Sequence, residues 1–222
     1  MPPAVAGISC YHVFMTSSLL LKGGMVATVK GVSFADVLVM EGKIAKVEPK
    51  ISEEAARAAM NDMIGAVGED EGTLEILDCS GKTIYPGFID VHAHLREPGL
   101  TDKEDFETGT RAAAAGGITT VCDMPNTIPP VTSREILEEK RALYTAKKAA
   151  GKTYANVAFY MGAAMNPITG ETNVDEFLAS DAVAFKIYMA DSTGNLGVSN
   201  KHALEEGLAK VGEASSGGSR FI

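Results

Sequence analysis

Several features that mark specialised proteins are scarce in this sequence. Its 222 residues hold three cysteines, Cys10, Cys79 and Cys122, with no Cys-x-x-Cys spacing. That excludes a disulfide-built scaffold and fits buried thiols in a reducing compartment. Cys122 lies in an apolar strand pattern and reads as core packing. Positive charge is also short: 20 Lys and Arg face 29 Asp and Glu, a formal net charge of −9. With no basic block or aromatic–basic stripe, a nucleic-acid surface is not expected. Long apolar runs are absent. The early stretch Val13–Leu21 is interrupted by Thr16, Ser17 and Ser18 and lacks a basic flank. It reads as neither a membrane span nor a secretory signal, so a cytoplasmic location is the default expectation. There is no P-loop, no Gly-x-Ser-x-Gly elbow and no Rossmann glycine fingerprint.

What is present is an ordinary globular composition, 45% hydrophobic and 22% charged, enough for one large or two small domains. Residues 1–17 read as a leader. Residues 18–83 show short strands with glycine turns: Ser18–Lys22, Met25–Lys30, Ala35–Met40 and Lys43–Val47, separated at Gly23-Gly24 and Glu41-Gly42. This pattern predicts small antiparallel β structure. Ser52–Ile64 reads as a helix, followed by an acidic loop at Gly68–Gly72 and a strand at Thr73–Cys79. The role of the segment Ile51–Gly72 is not legible from the sequence.

After Ile84 the rhythm changes to strand, turn, helix, repeated through residue 212. Strands are predicted at Ile84–Val91, Thr119–Asp123, Asn156–Gly162 and Ala182–Tyr188. Helices are predicted at Asp102–Ala115, Arg134–Ala150, Val174–Ala179 and Lys201–Val211. Thr101/Glu104 and Thr132/Glu135 have capping-box spacing. The repeat of thirty-odd residues is that of β/α units in a parallel fold. Eight such units need roughly 250 residues, so about four units fit here, as half a barrel or as an open four-stranded sheet. Residues 213–222 read as a flexible Ser/Gly tail.

The chemistry concentrates at strand ends. His92 and His94 stand two apart at the end of an apolar strand pattern, so they share a face and can converge on one metal ion; the alternative is a pair of incidental surface histidines. Their position, where parallel α/β folds keep their sites, favours metal binding. Arg96 adds a planar cation suited to a carboxylate. Asn126, in Cys122–Thr127, either donates its amide to a substrate carboxylate or carbonyl or simply forms a turn. Lys186 is the one charge in the apolar run Ala182–Met189. It either becomes a carbamate able to bridge two cations or snorkels to the strand end. Asp90, Glu97, Asp123 and Asp191 are further acids near strand ends, and Asp90 is placed to support the histidines. His12 and His202 read as surface residues.

Together these segments resemble the amidohydrolase superfamily and, within it, the dihydroorotases. The matching pieces are Tyr85–Gly99, with its His-x-His-x-Arg-Glu-Pro-Gly form, Lys103–Thr110, Ala112–Thr120, Met124–Thr127 and Phe185–Gly194. Asp36–Val47 looks like that family's small β-sandwich, so the resemblance covers roughly residues 18–212. It implies an incomplete (β/α)8 barrel of the TIM type behind an N-terminal β-sandwich portion. It also implies reversible cyclisation of N-carbamoyl-L-aspartate to dihydroorotate in pyrimidine synthesis. His92 and His94 would bind the first zinc, carbamylated Lys186 would bridge it to a second, and Arg96 and Asn126 would hold the substrate carboxylate. Two histidines and the general acid/base aspartate found on later strands of that family have no counterpart here. The chain alone is therefore expected to be inactive and C-terminally truncated. A non-catalytic short form binding a partner, or a hydantoinase- or allantoinase-type hydrolase, is the alternative. Partners are expected to be the small-molecule substrate and a second copy or another pyrimidine-pathway protein.

Overall fold

The computed structural model describes residues 17–67, 72–165, 172–190, 192, 196–197 and 201–215. Cys10, His12, Asp191, nearly all of the leader and most of the tail and acidic loop lie outside them. The chain divides into two compact units between Gly87 and Phe88.

In the N-terminal unit, five strands form one sheet in the order β3-β2-β1-β4, with β5 also on β1. They are β1 (Ser17–Thr28), β2 (Gly31–Met40), β3 (Lys43–Glu48), β4 (Thr73–Asp78) and β5 (Thr83–Ile84). The glycine pair expected as a turn is instead a bulge inside one long strand. Leu21 faces Val37 and Gly24 faces Ala35, so Lys22 and Gly23 together oppose Asp36. Gly23 takes φ +71°, which its missing Cβ permits, and the bulge bends β1. Buried Asp36 fixes the bend by accepting the Gly23 and Ile51 N–H groups, each at 2.8 Å.

The sheet is mixed rather than antiparallel, because β4 and β5 run parallel to β1. This gives Ile51–Gly72 its role. A chain leaving edge strand β3 must cross the sheet to reach the far side of β1, and helix α1 (Glu53–Val67) makes that crossover. Ile51 and Ala56 pack on Leu20 and Leu38, while Leu19, Val26, Val37 and Val39 form a second cluster. Adjacent residues of β1 and β2 thus serve opposite faces, so these strands are apolar without alternation.

The second unit is a parallel sheet, β6 (Phe88–Ala93), β7 (Ile118–Asp123), β8 (Asn156–Gly162) and β9 (Ala184–Lys186), joined by α2 (Phe106–Ala115), α3 (Arg134–Ala149) and α4 (Val174–Leu178). Helix α5 (Lys201–Ser215) follows. Strand order equals chain order. A doubly wound sheet would reverse order at a switch point, whereas unbroken order is barrel winding. Curvature is visible in one bond: the Tyr160 hydroxyl on β8 reaches over β7 to the Val91 carbonyl on β6, 3.0 Å away. The sheet is a half-barrel.

Alternation divides each strand between a helix layer and the inner face. Leu95, Val121, Phe159, Met161 and Phe185 join Phe106, Leu137, Tyr144 and Phe177 in the core under the helices. Each such burial is worth about 1.5–3 kcal/mol. Phe106, Tyr144 and Phe159 meet edge to face at centroid distances of 5.7, 6.1 and 6.0 Å. Cys122 is only half-buried rather than core. The strand expected at Ile84–Val91 is two strands, because Pro86 and Gly87 interrupt the ladder. The expected Thr-led caps are replaced by their neighbours: Asp105 caps α2 through the Thr108 N–H, and Ser133 caps α3 through the Ile136 N–H. Glu97 also accepts the Phe106 N–H at 3.0 Å, which holds back the start of α2 relative to Asp102. Strand β6 lies at the end of the sheet order, and Phe88, Ile89 and Val91 on it are more than half exposed.

Candidate active site

His92, in β6, and His94, just past its end, lie side by side with ring centroids 5.5 Å apart and planes tilted by 56°. Their neighbours Ala93 and Leu95 turn toward the helix core, which leaves both imidazoles on the other face. Asp90 accepts the His92 backbone N–H at 2.9 Å, so it shapes the strand end directly. His94 Nδ1 is 2.8 Å from Asn126 Oδ1. A carbonyl oxygen only accepts, so Nδ1 carries the proton and Nε2 presents its lone pair. Burial lowers the pKa of His94, with Arg96 and His92 adding to the effect against the Asn126 bond. The neutral, ligand-competent form is thereby favoured.

Asn126 is buried in the turn after β7. Its carbonyl end is committed to His94, leaving the amide end able to donate to a ligand. Arg96 sits at φ +63°, a left-handed conformation costing a non-glycine residue about 1–2 kcal/mol. It forms no ion pair among the described residues. Gly99, at φ +86°, lets this loop close on the next one: a Cβ there would stand 2.4 Å from the Ile128 carbonyl oxygen.

The loop is anchored from beneath by a pair that the sequence did not advertise. Asp123 Oδ2 meets Lys140 Nζ at 2.7 Å, both side chains essentially fully buried. Asp123 Oδ1 accepts the Leu95 N–H at 2.8 Å, between His94 and Arg96. Lys140 also donates to the Met124 carbonyl at 3.3 Å, two residues before Asn126. One ion pair thus ties α3, the end of β7 and the His-x-His-x-Arg segment together. Burial pushes the pKa of Asp123 up and that of Lys140 down, each opposed by the partner's charge. Glu97 likewise proves structural: it meets Lys147 at 2.9 Å, and Lys147 meets Asp105 at 3.0 Å.

Lys186 closes β9, half-buried, with Nζ 5.4 Å from the Tyr188 ring centroid. Burial pushes the Tyr188 phenol up to about 12 against the pull of Arg96. No group of three or more His, Cys, Asp or Glu able to hold a metal occurs among the described residues. The donor chemistry nevertheless fits a zinc-like cation at His92 and His94 as two nitrogen ligands of a larger set. His202 is exposed on α5.

Residues 81–211, more than half of the chain, match the family model described as dihydro-orotase-like. The chain belongs to the dihydro-orotase-like family. It is 37% identical over 179 residues to a dihydroorotase of Methanosarcina acetivorans, covering 80% of this chain and 32% of that protein. It is 34% identical over 179 residues to an allantoinase of Deinococcus radiodurans, covering 80% and 34%. The L-hydantoinase (dihydropyrimidinase) of Arthrobacter aurescens superposes with a TM-score of 0.66 at 26% identity, over 89% of this chain and 39% of that one. The relatives are cyclic-amide hydrolases, and this dihydro-orotase-like chain spans about a third of their length. The matched range, residues 81–211, spans the positions of the histidine pair, Arg96, Asn126 and Lys186.

The sequence reading missed Lys140. A lysine among the apolar positions of α3 was the available signal, since burial demands a partner.

Proposed function

We propose that this chain carries the N-terminal part of a zinc-dependent dihydroorotase site, acting on N-carbamoyl-L-aspartate and dihydroorotate in pyrimidine biosynthesis. The observation that carries the reading is Arg96, held in a left-handed turn two residues after His94 and without an ionic partner among the described residues. A bound zinc ion would supply Lewis acidity toward a ring carbonyl and a water of lowered pKa. His92 and His94 would hold the ion, and Asn126 keeps the His94 lone pair aimed outward. Arg96, with the Asn126 amide, would grip the substrate carboxylate and orient the ring. Lys186, as a neutral amine, would add carbon dioxide and release a proton, and its carbamate would bridge to a second zinc. Turnover is proposed to need protein beyond these 222 residues, because among the described residues no carboxylate is assigned the general acid/base role. A cytoplasmic setting and association with a second copy or another pyrimidine-pathway protein complete the proposal. The exposed apolar residues of β6 support association.

The hydantoinase-like fold favours one further reading, a hydrolase for neutral rings. Calorimetric titration of the zinc-loaded chain with dihydroorotate and with hydantoin separates the two. Binding of dihydroorotate alone, lost in Arg96→Met, is the expected result. Equal binding of hydantoin, indifferent to Arg96, would sink the dihydroorotase reading. The intact mass of the protein in its source cell then tells whether these residues act alone or within a longer chain.

A further inference from the structure

Arg96 is the one non-glycine residue of the second unit with a positive φ among the described residues. Across it the Glu97 N–H donates to the Leu95 carbonyl at 2.8 Å. A bond from residue i to i+2 around a positive φ is the rare, strained form of the γ-turn, and such a turn persists where its surroundings over-determine it. Both flanks of this turn are tied to helix α3. Before Arg96, the Leu95 N–H donates to Asp123, whose carboxylate meets Lys140. After it, Glu97 Oε2 meets Lys147 Nζ at 2.9 Å and also accepts the Phe106 N–H at 3.0 Å. Lys147 is itself fixed by Asp105, the N-cap of α2, at 3.0 Å. Lys140 and Lys147 stand seven residues apart on α3, two turns along one face. One helix therefore grips the chain on either side of the strained residue.

We propose that Lys147 is a positioning residue for Arg96: through Glu97 it holds the left-handed turn and so pre-organises the guanidinium for the carboxylate of an acidic ring. This rests on the dihydroorotase reading above. An ion pair near the surface adds little to stability by itself; the effect here is on the population of one backbone state. Released, residue 96 returns toward an ordinary negative φ. Affinity for the carboxylate then falls by the fraction of chains that keep the turn, about tenfold when about one chain in ten does. The zinc ligands are held independently, His94 by Asn126 and the Leu95 end of the loop by Asp123.

Two readouts test this. In urea unfolding of the unliganded chain, Arg96→Gly is expected to raise the midpoint, because relief of left-handed strain exceeds the entropy that a glycine loses on folding. The same substitution in a Lys147→Met background is expected to lower the midpoint, since a relaxed residue 96 leaves only the entropy cost. Calorimetric titration of the zinc-loaded proteins is expected to show Lys147→Met binding L-dihydroorotate about tenfold more weakly, with zinc affinity unchanged. Lys147→Arg, which keeps the ion pair, is expected to bind as the wild type does. A merely structural lysine would lower the unfolding midpoint and leave dihydroorotate affinity alone. Arg96→Gly acting alike in both backgrounds would overturn the positioning role, as would equal dihydroorotate affinity in the wild type and Lys147→Met; either result leaves the dihydroorotase reading intact. Failure of the wild type to bind dihydroorotate would overturn that reading and this inference with it.

Discussion

Replacing Lys140 by Met tests the anchoring of the site most directly. Met keeps the length of the side chain and removes its charge, leaving the Asp123 carboxylate buried with the Leu95 N–H as its remaining bond. Two estimates of the cost agree. Removing one partner of a buried ion pair costs about 3–5 kcal/mol. Asp123 can instead take up a proton, and holding a carboxyl of ordinary pKa about 3.9 neutral at pH 7 costs about 4 kcal/mol, at about 1.36 kcal/mol per unit. The second route gives the loss a pH signature. In the variant the folded-state pKa of Asp123 lies above its unfolded value. Stability is then complete below the unfolded value and falls as pH rises toward the folded one. The deficit against wild type should grow by about 1.4 kcal/mol per pH unit once pH passes the folded-state pKa of Asp123 in the wild-type pair, which burial holds above its ordinary value. Urea unfolding at a series of pH values reads it. Adding Asp123→Asn should recover most of the loss, since the remaining carbonyl still accepts from Leu95 and no lone charge is buried. A deficit under about 1 kcal/mol at neutral pH, or one independent of pH, would refute the role assigned to the pair.

Other expectations follow from single contacts. Asp105 is held at about 2: burial opposes its ionisation, but the Thr108 N–H and hydroxyl and the Lys147 ammonium outweigh burial. Its folded pKa is depressed, so its contribution is present above its ordinary value and vanishes as pH falls through about 2. After allowance for solvent screening, Asp105→Asn should cost on the order of 1 kcal/mol at neutral pH and little in strong acid, read by denaturation at both. Asp36→Ala leaves the Gly23 and Ile51 N–H groups unsatisfied and should cost about 2–4 kcal/mol in urea melts. Gly99→Ala forces a side chain into a left-handed turn against the Ile128 carbonyl; a loss of at least about 2 kcal/mol is expected, with weakened zinc binding. Asn126→Leu frees the His94 ring to turn and should weaken zinc affinity about 10- to 100-fold by competition titration, whereas unchanged affinity would discount the tautomer argument.

Much of the architecture was legible without coordinates. Asn156–Gly162 is the observed β8 to the residue, because a continuous apolar run between turn residues has one stable reading in a parallel sheet. The histidine pair was legible for the same reason: a period of two puts alternate residues on one face whatever surrounds them. Helix starts were less so. Thr101, Thr132, Asp105 and Ser133 are all competent caps, and which one serves depends on where the preceding loop is tied. For α2 that is settled by Glu97 and Lys147, which come from elsewhere in the chain.

By itself, then, the sequence determined the repeating strand–helix rhythm, the single-faced histidine pair and the family, since all three rest on local periodicity and contiguous motifs. The tertiary structure alone decided whether four strands make an open sheet or a curved half-barrel. It also assigned Ile51–Gly72 to a crossover and identified the buried cation beneath the site. It turned Asn126 toward His94. Each of these depends on which distant residues meet, and such meetings are set by packing and by the cost of unpaired buried groups.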